Sequence, residues 1–448
     1  MAEDLRQALA RLIPSDASVL EVGSGVGDLV AGLPQPRRVG VDLLPEAVEE
    51  ARRRHPGAGV TFRVGDANAL EPDIGRHDAI ICDRLAHSVP DIRALLVSLR
   101  EHLSERGRIY LTVFNYLWEV PTRLAEMAGW KVPSPIGNWL SESDFGNLFA
   151  LAGLEVVRYE DRLLVPLPLP AVGTALNRYA AKLPVAQRLS LYRVYVLRKR
   201  DIPARRPGPV SVTVVVPTRN EAGNVDAAIA RTPLMGNRTE LIFVEGGSSD
   251  GTWEKIQSAI AAYRGPLQLS AYQQTGKGKG DAVRLGFDRA TGDLLMILDA
   301  DLTVPPEELP VFFDAALRGQ ADFIQGTRLV YPMDPGAMRF FNKMGNVAFS
   351  QLFTYLLQQP IKDTLCGTKV LWRSDYQRIA DNRHVFGDFD PFGDFDLIFG
   401  AARLNLKIGE IPVRYRERTY GDTNISRWKH GLLLLRMSLI AARKLKYV

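Results

Sequence analysis

Cysteine is almost absent from this 448-residue chain: Cys82 and Cys366 stand far apart and in no metal-like spacing. That pattern excludes a disulfide scaffold and makes a reducing compartment the simplest setting. No apolar run approaches the ~20 residues needed to span a bilayer. Met1 to Arg6 has neither the basic nor the apolar region of a signal peptide, so a cytoplasmic location is expected. Acids are scarce towards the C-terminus. From Arg403 onwards 11 Lys/Arg face three acids, a balance of +8, which leaves −3 for the preceding 402 residues out of a total of +5. A basic tail on a near-neutral body suggests an anionic surface or substrate. Also missing is any basic surface interleaved with aromatics, so no nucleic-acid partner is expected. With 46% hydrophobic and 24% charged residues, the composition is that of a globular protein, long enough for two large domains.

What is present alternates strand-like and helix-like segments. Ser18 to Val22 reads as a strand, Gly23-Ser-Gly-Val-Gly27 as a tight turn opening a helix, and Val39 to Asp42 as a strand ending in an acid. Glycines there let the backbone approach a ligand where a Cβ would clash. The dinucleotide fingerprint wants another glycine at its sixth place, which here is Asp28. Val60 to Val64 leads into Gly65-Asp-Ala67, and Asp78 to Asp83 forms a fourth strand. These elements together resemble class I S-adenosylmethionine-dependent methyltransferases over about 200 residues. The resemblance implies a Rossmann-like fold in which Glu21, Gly23, Gly25 and Gly27 cradle the methionine part of the cofactor. Asp42 would hold the ribose, and Asp66 with Ala67 would meet the adenine. His87 could touch substrate, but a lone histidine is more often structural. Gly107 to Phe114 reads as a fifth strand, Ser141 to Leu151 as a helix capped by Ser141, and Leu154–Val165 with Leu191–Arg198 as a closing antiparallel pair. Pro166 to Ser190 between them exceeds a hairpin and reads as a substrate cap or docking surface.

Arg198 to Pro209 packs proline, glycine and charge, which cannot hold a helix or a central strand. Domains are therefore expected at 1–200 and 210–448, with 201–209 as linker. Beyond it, Ser211 to Pro217 and Leu241 to Glu245 read as strands, each followed by a polar or glycine-rich loop, and helices alternate with them. This is a parallel α/β sheet. Leu294 to Thr303 drives an apolar strand into Asp299 and Asp301. If the extended geometry continues, these two carboxylates point the same way. They would then offer hard oxygens for Mg²⁺ or Mn²⁺ carrying a diphosphate, at the edge where such sheets bind ligands.

Val216-Pro-Thr-Arg-Asn-Glu221, Ser248-Ser-Asp-Gly-Thr252, Gly278-Lys-Gly280, Ala290-Thr-Gly-Asp293 and Asp299-Ala-Asp301 come in the order found in family 2 inverting glycosyltransferases. Gly326-Thr-Arg328, Asp363 to Lys369 and Ile411 to Arg416 look most like the dolichyl- and polyprenyl-phosphate sugar synthases. This resemblance implies a glycosyltransferase A-type fold for the second domain. It also implies inverting hexosyl transfer from a nucleotide-diphospho-sugar to a lipid-linked, polyprenyl-phosphate-type acceptor in cell-envelope or glycan biosynthesis. Pro217, Glu221 and Glu245 would meet base and ribose. Lys277, Lys279 and Arg328, with a metal on Asp299 and Asp301, would neutralise the leaving diphosphate. Where the family usually has two aspartates before Gly-Ser, this chain has Glu245-Gly246, which leaves the base open.

Phe386 to Asp396 offers four carboxylates. A sugar-hydroxyl acceptor needs one as general base, with Asp394 or Asp396 matching the family position, whereas a phosphate acceptor is already ionised and needs none. Arg414, Arg416 and Arg427, with Arg418 among them, fall where the lipid-phosphate branch closes over the acceptor phosphate. Residues 428–448 read as one amphipathic helix that either lies on a membrane surface, making the protein peripheral on its inner face, or seals the core. The whole reads as a bifunctional α/β enzyme using S-adenosylmethionine and Mg²⁺ or Mn²⁺. The alternative is a transferase for soluble or glycan acceptors whose first domain only binds.

Overall fold

A computed structural model describes residues 2–130, 137–166, 172–200, 208–331, 340–385, 393–418, 420 and 427–446, the side chains of 174, 340–343, 394 and 427–431 apart. The chain divides into two compact units that meet in sequence at Asp201 and Ile202. Each is built on a seven-stranded sheet of its own.

In the first unit the strands are β1 (Ser18–Val22), β2 (Arg37–Asp42), β3 (Val60–Val64), β4 (His77–Asp83), β5 (Leu103–Phe114), β6 (Leu154–Arg162) and β7 (Tyr192–Lys199). Their order is β3-β2-β1-β4-β5-β7-β6, with β7 antiparallel to both neighbours and the rest parallel. Strand β1 is buried along its whole length, Val19, Leu20 and Val22 in the core and Ser18 and Glu21 buried with them. The 142–151 helix starts on a capping box: Ser141 accepts from the Asp144 backbone N–H, and the Asp144 carboxylate accepts from that of Ser141.

In the second unit the strands are β8 (Ser211–Thr218), β9 (Arg238–Glu245), β10 (Gln268–Gln273), β11 (Leu294–Ile297), β12 (Phe323–Thr327), β13 (Lys369–Trp372) and β14 (Ile408–Pro412). The order is β10-β9-β8-β11-β13-β12-β14. Strands β10, β9, β8 and β11 run parallel, so their C-terminal ends gather at one edge. Strand β13 runs against β11, which brings its entry, Gly367 to Lys369, to that same edge. Both units brace the central strand alike: the Ser18 N–H and hydroxyl donate to Asp78 at 3.0 and 2.7 Å, and those of Ser211 to Asp293 at 3.1 and 2.8 Å.

The C-terminal segment forms a helix (Arg427–Ala441) ending in a wide turn (Ala442–Lys446). Leu434, Met437, Ala441 and Leu445 are buried in the core beside Phe353, Leu356 and Leu357 of the 340–357 helix. The sealing role is thus real for one face, while Leu432, Leu435 and Leu439 stay exposed on the other. Among the described residues, no helix is long and apolar enough to cross a membrane.

Candidate active sites

In the second unit, extended geometry stops at Ile297. The Leu302 N–H closes a turn on the Asp299 carbonyl at 3.0 Å, with Leu302 in the left-handed region. Asp301 stabilises the turn by accepting from the Thr303 N–H and hydroxyl at 3.1 and 2.9 Å. The two-residue alternation assumed from sequence therefore does not hold through Asp301. The carboxylates meet different cations instead. The Lys279 Nζ lies 2.5 Å from Asp299, and an Arg418 Nη 2.7 Å from Asp301. Burial pushes the Asp299 carboxyl up, but the charge and hydrogen bond of Lys279, with Lys369 and Arg328 beyond, outweigh it and hold it below the usual range. A Cβ at Gly367 would overlap both the Asp299 carboxylate and the Lys279 ammonium, so only glycine leaves room there.

Glu221 shares Arg418. Its oxygens accept from Arg418 at 3.1 Å and from the Asn224 side-chain amide at 2.7 Å. Burial raises its proton affinity despite these donors, and the charges of Asp301 and Asp250 add to the effect. The loop carrying Glu221 is locked to its neighbour: the Asn220 N–H reaches the Ser248 hydroxyl at 2.9 Å, the Ser249 N–H returns to the Asn220 side chain at 2.9 Å, and the Glu221 N–H meets the Thr252 hydroxyl at 3.0 Å. Asn220 is left-handed, a conformation asparagine tolerates better than most residues. Pro217, half-buried, precedes this loop at the end of β8. Glu245 is buried and turned to its own loop, accepting from the Ser248 N–H at 2.5 Å and from the Gln273 side chain at 3.3 Å. Lys277 is exposed on the glycine turn before the 279–289 helix.

Two carboxylates at a strand end, hard in character and each already drawing a cation, fit a divalent ion. Among the described residues no group of three or more His, Cys, Asp or Glu side chains gathers as a complete cage. An ion held by these two carboxylates alone would complete its shell with water and substrate phosphate, as Mg²⁺ usually does.

In the first unit, Glu21 is buried at the end of β1 and accepts from the Val30 N–H at 3.0 Å. Asp42 accepts from the Gly25 and Leu44 N–H groups at 2.7 and 3.1 Å. Gly23, Gly25 and Gly27 all have positive φ, and at Gly27 a Cβ would strike the Phe62 ring. Asp66 is exposed and accepts from the Asn68 N–H at 2.9 Å, with Ala67 half-buried beside it. Asp83, at the end of β4, was not singled out from the sequence, although it ends its strand as Asp42 does. It pairs with Arg84 at 2.6 Å and with the Thr112 hydroxyl, and its charge helps raise Glu21. His87 is consumed structurally: the Phe114 N–H donates to its Nε2 at 2.7 Å, so its Nδ1 carries the proton donated to the Asn138 carbonyl at 2.6 Å.

Both units match known families. Residues 1–159 match the model of a methyltransferase domain, and residues 213–379 match that of glycosyl transferase family 2. The chain joins a methyltransferase domain to a family 2 glycosyltransferase domain. Among curated relatives, the glycosyltransferase domain is 36% identical over 228 residues to a dolichol-phosphate mannosyltransferase of Pyrococcus furiosus, covering 48% of this chain and 59% of that protein. It is 29% identical over 228 residues to an undecaprenyl-phosphate 4-deoxy-4-formamido-L-arabinose transferase of Edwardsiella ictaluri, covering 50% and 64%. The match thus spans less than two thirds of either relative. The methyltransferase domain is similar to a solved S-adenosylmethionine-dependent methyltransferase of Mesorhizobium loti, at 16% identity and a TM-score of 0.34, covering 44% of this chain and 98% of that one.

The glycosyltransferase domain distributes its remaining expected residues unevenly. The fork of Arg328 is filled by Asp363, with Nε and Nη2 at 2.7 and 2.8 Å, while its plane lies over Tyr415. Asp396 is buried between Arg383 at 2.9 Å and Arg284 at 3.3 Å. Asp394 opens the 394–403 helix. The preceding Gly393 packs so closely on Gly280 that a Cβ would fall 2.6 Å from the Gly280 Cα, which sets this helix start beside the Lys279 turn. Arg414 and Arg416 are exposed, and the Arg416 N–H donates to the Thr303 carbonyl at 2.9 Å. The side chain of Arg427, and residues 421–426 before it, lie outside the described residues. Arg418, named in the sequence only with the acceptor arginines, instead touches the donor-side carboxylates.

Proposed function

We propose that the glycosyltransferase domain transfers a hexosyl group, with inversion, from a nucleotide-diphospho-sugar to a polyprenyl-phosphate-type acceptor. The methyltransferase domain uses S-adenosylmethionine to methylate a second substrate. The observation that carries the first half is the meeting of Asp299 with Lys279 and of Asp301 with Arg418 at the edge where β8, β9 and β11 end. Asp299 and Asp301 would hold Mg²⁺ or Mn²⁺, which when bound would offset charge on the leaving diphosphate. Lys279, in the first turn of its helix, adds a fixed positive charge and the partial charge of the helix start. Arg414 and Arg416 are free of the sheet and would approach the acceptor phosphate. That phosphate, ionised near neutral pH, attacks the anomeric carbon as the bond to the diphosphate breaks, and no protein base takes part. With a hydroxyl acceptor, Asp394 would have to take the proton.

For the methyltransferase domain, the supporting observation is an acidic edge made by Glu21, Asp42 and Asp83, suited to a ligand with ammonium and sulfonium groups. The exposed Leu432, Leu435 and Leu439, on a helix that also carries Arg436, support a peripheral position at an anionic membrane. Fusion would raise the local concentration of one product at the other site. The test is mass-spectrometric: full chain, a nucleotide-sugar panel, and polyprenyl phosphate against soluble glycans. Glycosylated polyprenyl phosphate, lost in Asp301→Asn, supports the reading. Product on soluble glycans alone, or undiminished turnover in Asp301→Asn, overturns it.

A further inference from the structure

We propose that the methyltransferase domain itself docks on an anionic lipid surface, through a face made by residues 115–130 and 172–190. This goes beyond the glycosyltransferase reading and does not depend on it. The helix Glu119–Met127 follows directly from the end of β5, and none of its residues is buried. A helix of a globular domain ordinarily hides an apolar stripe. Here Val120, Leu124 and Met127, spaced along one side, are 65%, 58% and 84% exposed, and Trp130 just beyond is 87% exposed.

The second segment adjoins the first. The Trp118 indole N–H donates to the Leu189 carbonyl at 2.9 Å, and the Asn115 amide to those of Arg188 and Ser190 at 2.8 and 3.0 Å. On this segment Val185 is 78% exposed and Leu189 53%. A continuous apolar patch of this kind on a domain surface marks an interaction site. Its charge selects the partner. The first segment carries Glu119 and Glu126 against Arg123, which pairs with Glu119 at 2.6 Å, whereas the second carries Arg178, Lys182 and Arg188 with no acid between Asp161 and Asp201, and Arg178 stacks over the Tyr179 ring at 5.7 Å. Apolar side chains on a face with a net charge of +2, its basic residues gathered on the second segment and tryptophan and tyrosine among them, match the boundary of an anionic bilayer, where amphipathic rings and basic side chains settle. The face continues from the C-terminal end of β5, the edge that also carries Glu21, Asp42 and Asp83, so docking would turn the methyl-transfer edge towards the lipid.

The experiment uses the full chain with vesicles of phosphatidylglycerol and phosphatidylcholine, and of phosphatidylcholine alone. Sedimentation and tryptophan emission are both followed. The expected result is binding to the anionic vesicles with a blue-shifted emission, most of which disappears in Trp130→Phe. Leu124→Asp combined with Val185→Asp should lower partitioning about tenfold or more, and Arg178→Gln with Arg188→Gln should erase the preference for phosphatidylglycerol. Both pairs are surface changes, and unchanged melting temperatures will confirm intact folding. Three results would overturn the proposal: no vesicle binding, unchanged partitioning in the Leu124/Val185 variant because the C-terminal helix alone binds, or a solution dimer that this variant splits.

Discussion

One nitrogen of Arg418 lies 2.7 Å from an Asp301 oxygen while another lies 3.1 Å from Glu221. The same guanidinium thus holds both the carboxylate proposed for the divalent ion and the one proposed for the donor nucleotide. Removing it should leave Asp301 available to the ion. A charge-assisted hydrogen bond is worth about 1.5–3 kcal/mol, so Arg418→Gln is expected to bind Mn²⁺ roughly tenfold more tightly. Titration followed by electron paramagnetic resonance measures this without turnover. Unchanged affinity would mean that Arg418 and the ion do not compete for Asp301.

Asp363 and Arg328 should matter for stability rather than for donor binding. Burial pushes the Asp363 carboxyl up, but the charge and fork of Arg328, then the Asn346 amide, bring it down to about 2. The folded value is below that of an unfolded aspartate, near ~3.9. The stabilisation is therefore complete above that value and is lost as pH falls towards about 2. Asp363→Asn leaves a buried arginine unpaired and should cost about 3–5 kcal/mol at neutral pH. Urea unfolding across this acid range should also show a flatter pH dependence in the variant. If Arg328 instead contacts the donor in turnover, Arg328→Lys would raise the donor KM with stability nearly intact.

A comparable comparison separates the two candidate bases. Asp396 neutralises Arg383 and Arg284 within the core, so Asp396→Asn is expected to destabilise by about 3 kcal/mol or more. With a phosphate acceptor, Asp394→Asn should leave kcat within a few-fold. A loss of 10²–10⁴ in kcat with intact folding would instead assign Asp394 as a base acting on a hydroxyl.

The parts legible in the sequence were those written in local chemistry. The run Leu294–Ile297 is apolar on both faces, as a central strand requires, and the Ser141 cap is spelled out by Asp144 three residues later. The glycine turn at 23–27 announces a close backbone approach before any ligand is known. What could not be read was partnership across the chain. Arg328 and Asp363 are 35 residues apart, and Arg418 and Asp301 are 117 apart. Nothing in local pattern distinguishes an arginine waiting for phosphate from one already bound to a carboxylate. The turn at 299–302 defeated the alternation argument for a similar reason, since the strand ends at Ile297, before either carboxylate. The antiparallel entry of β13, which lays Gly367 against Asp299, depends on strand order and has no local signature.

Glu21 offers a prediction in which proton and ligand are linked. Burial is the main reason its carboxyl is raised well above the ordinary range, and the charge of Asp83 adds to it; the Val30 N–H opposes this, while Asp42 and Asp28 contribute a little more. In the free protein Glu21 therefore carries a proton at pH values where a solvated glutamate has lost it. A cationic ligand at this edge prefers the carboxylate, so binding S-adenosylmethionine should expel that proton. Affinity must then rise with pH until the pKa of free Glu21 is passed, and level off above it. Calorimetry in buffers of different ionisation enthalpy should detect proton release on binding at any pH where free Glu21 still carries its proton, and none once that proton is lost. Glu21→Gln should bind about 10- to 100-fold more weakly wherever the wild-type affinity has levelled off, with no proton release. A wild-type affinity that does not change with pH would mean that the cofactor's positive charge rests on other groups, with Asp42 and Asp83 the nearest alternatives.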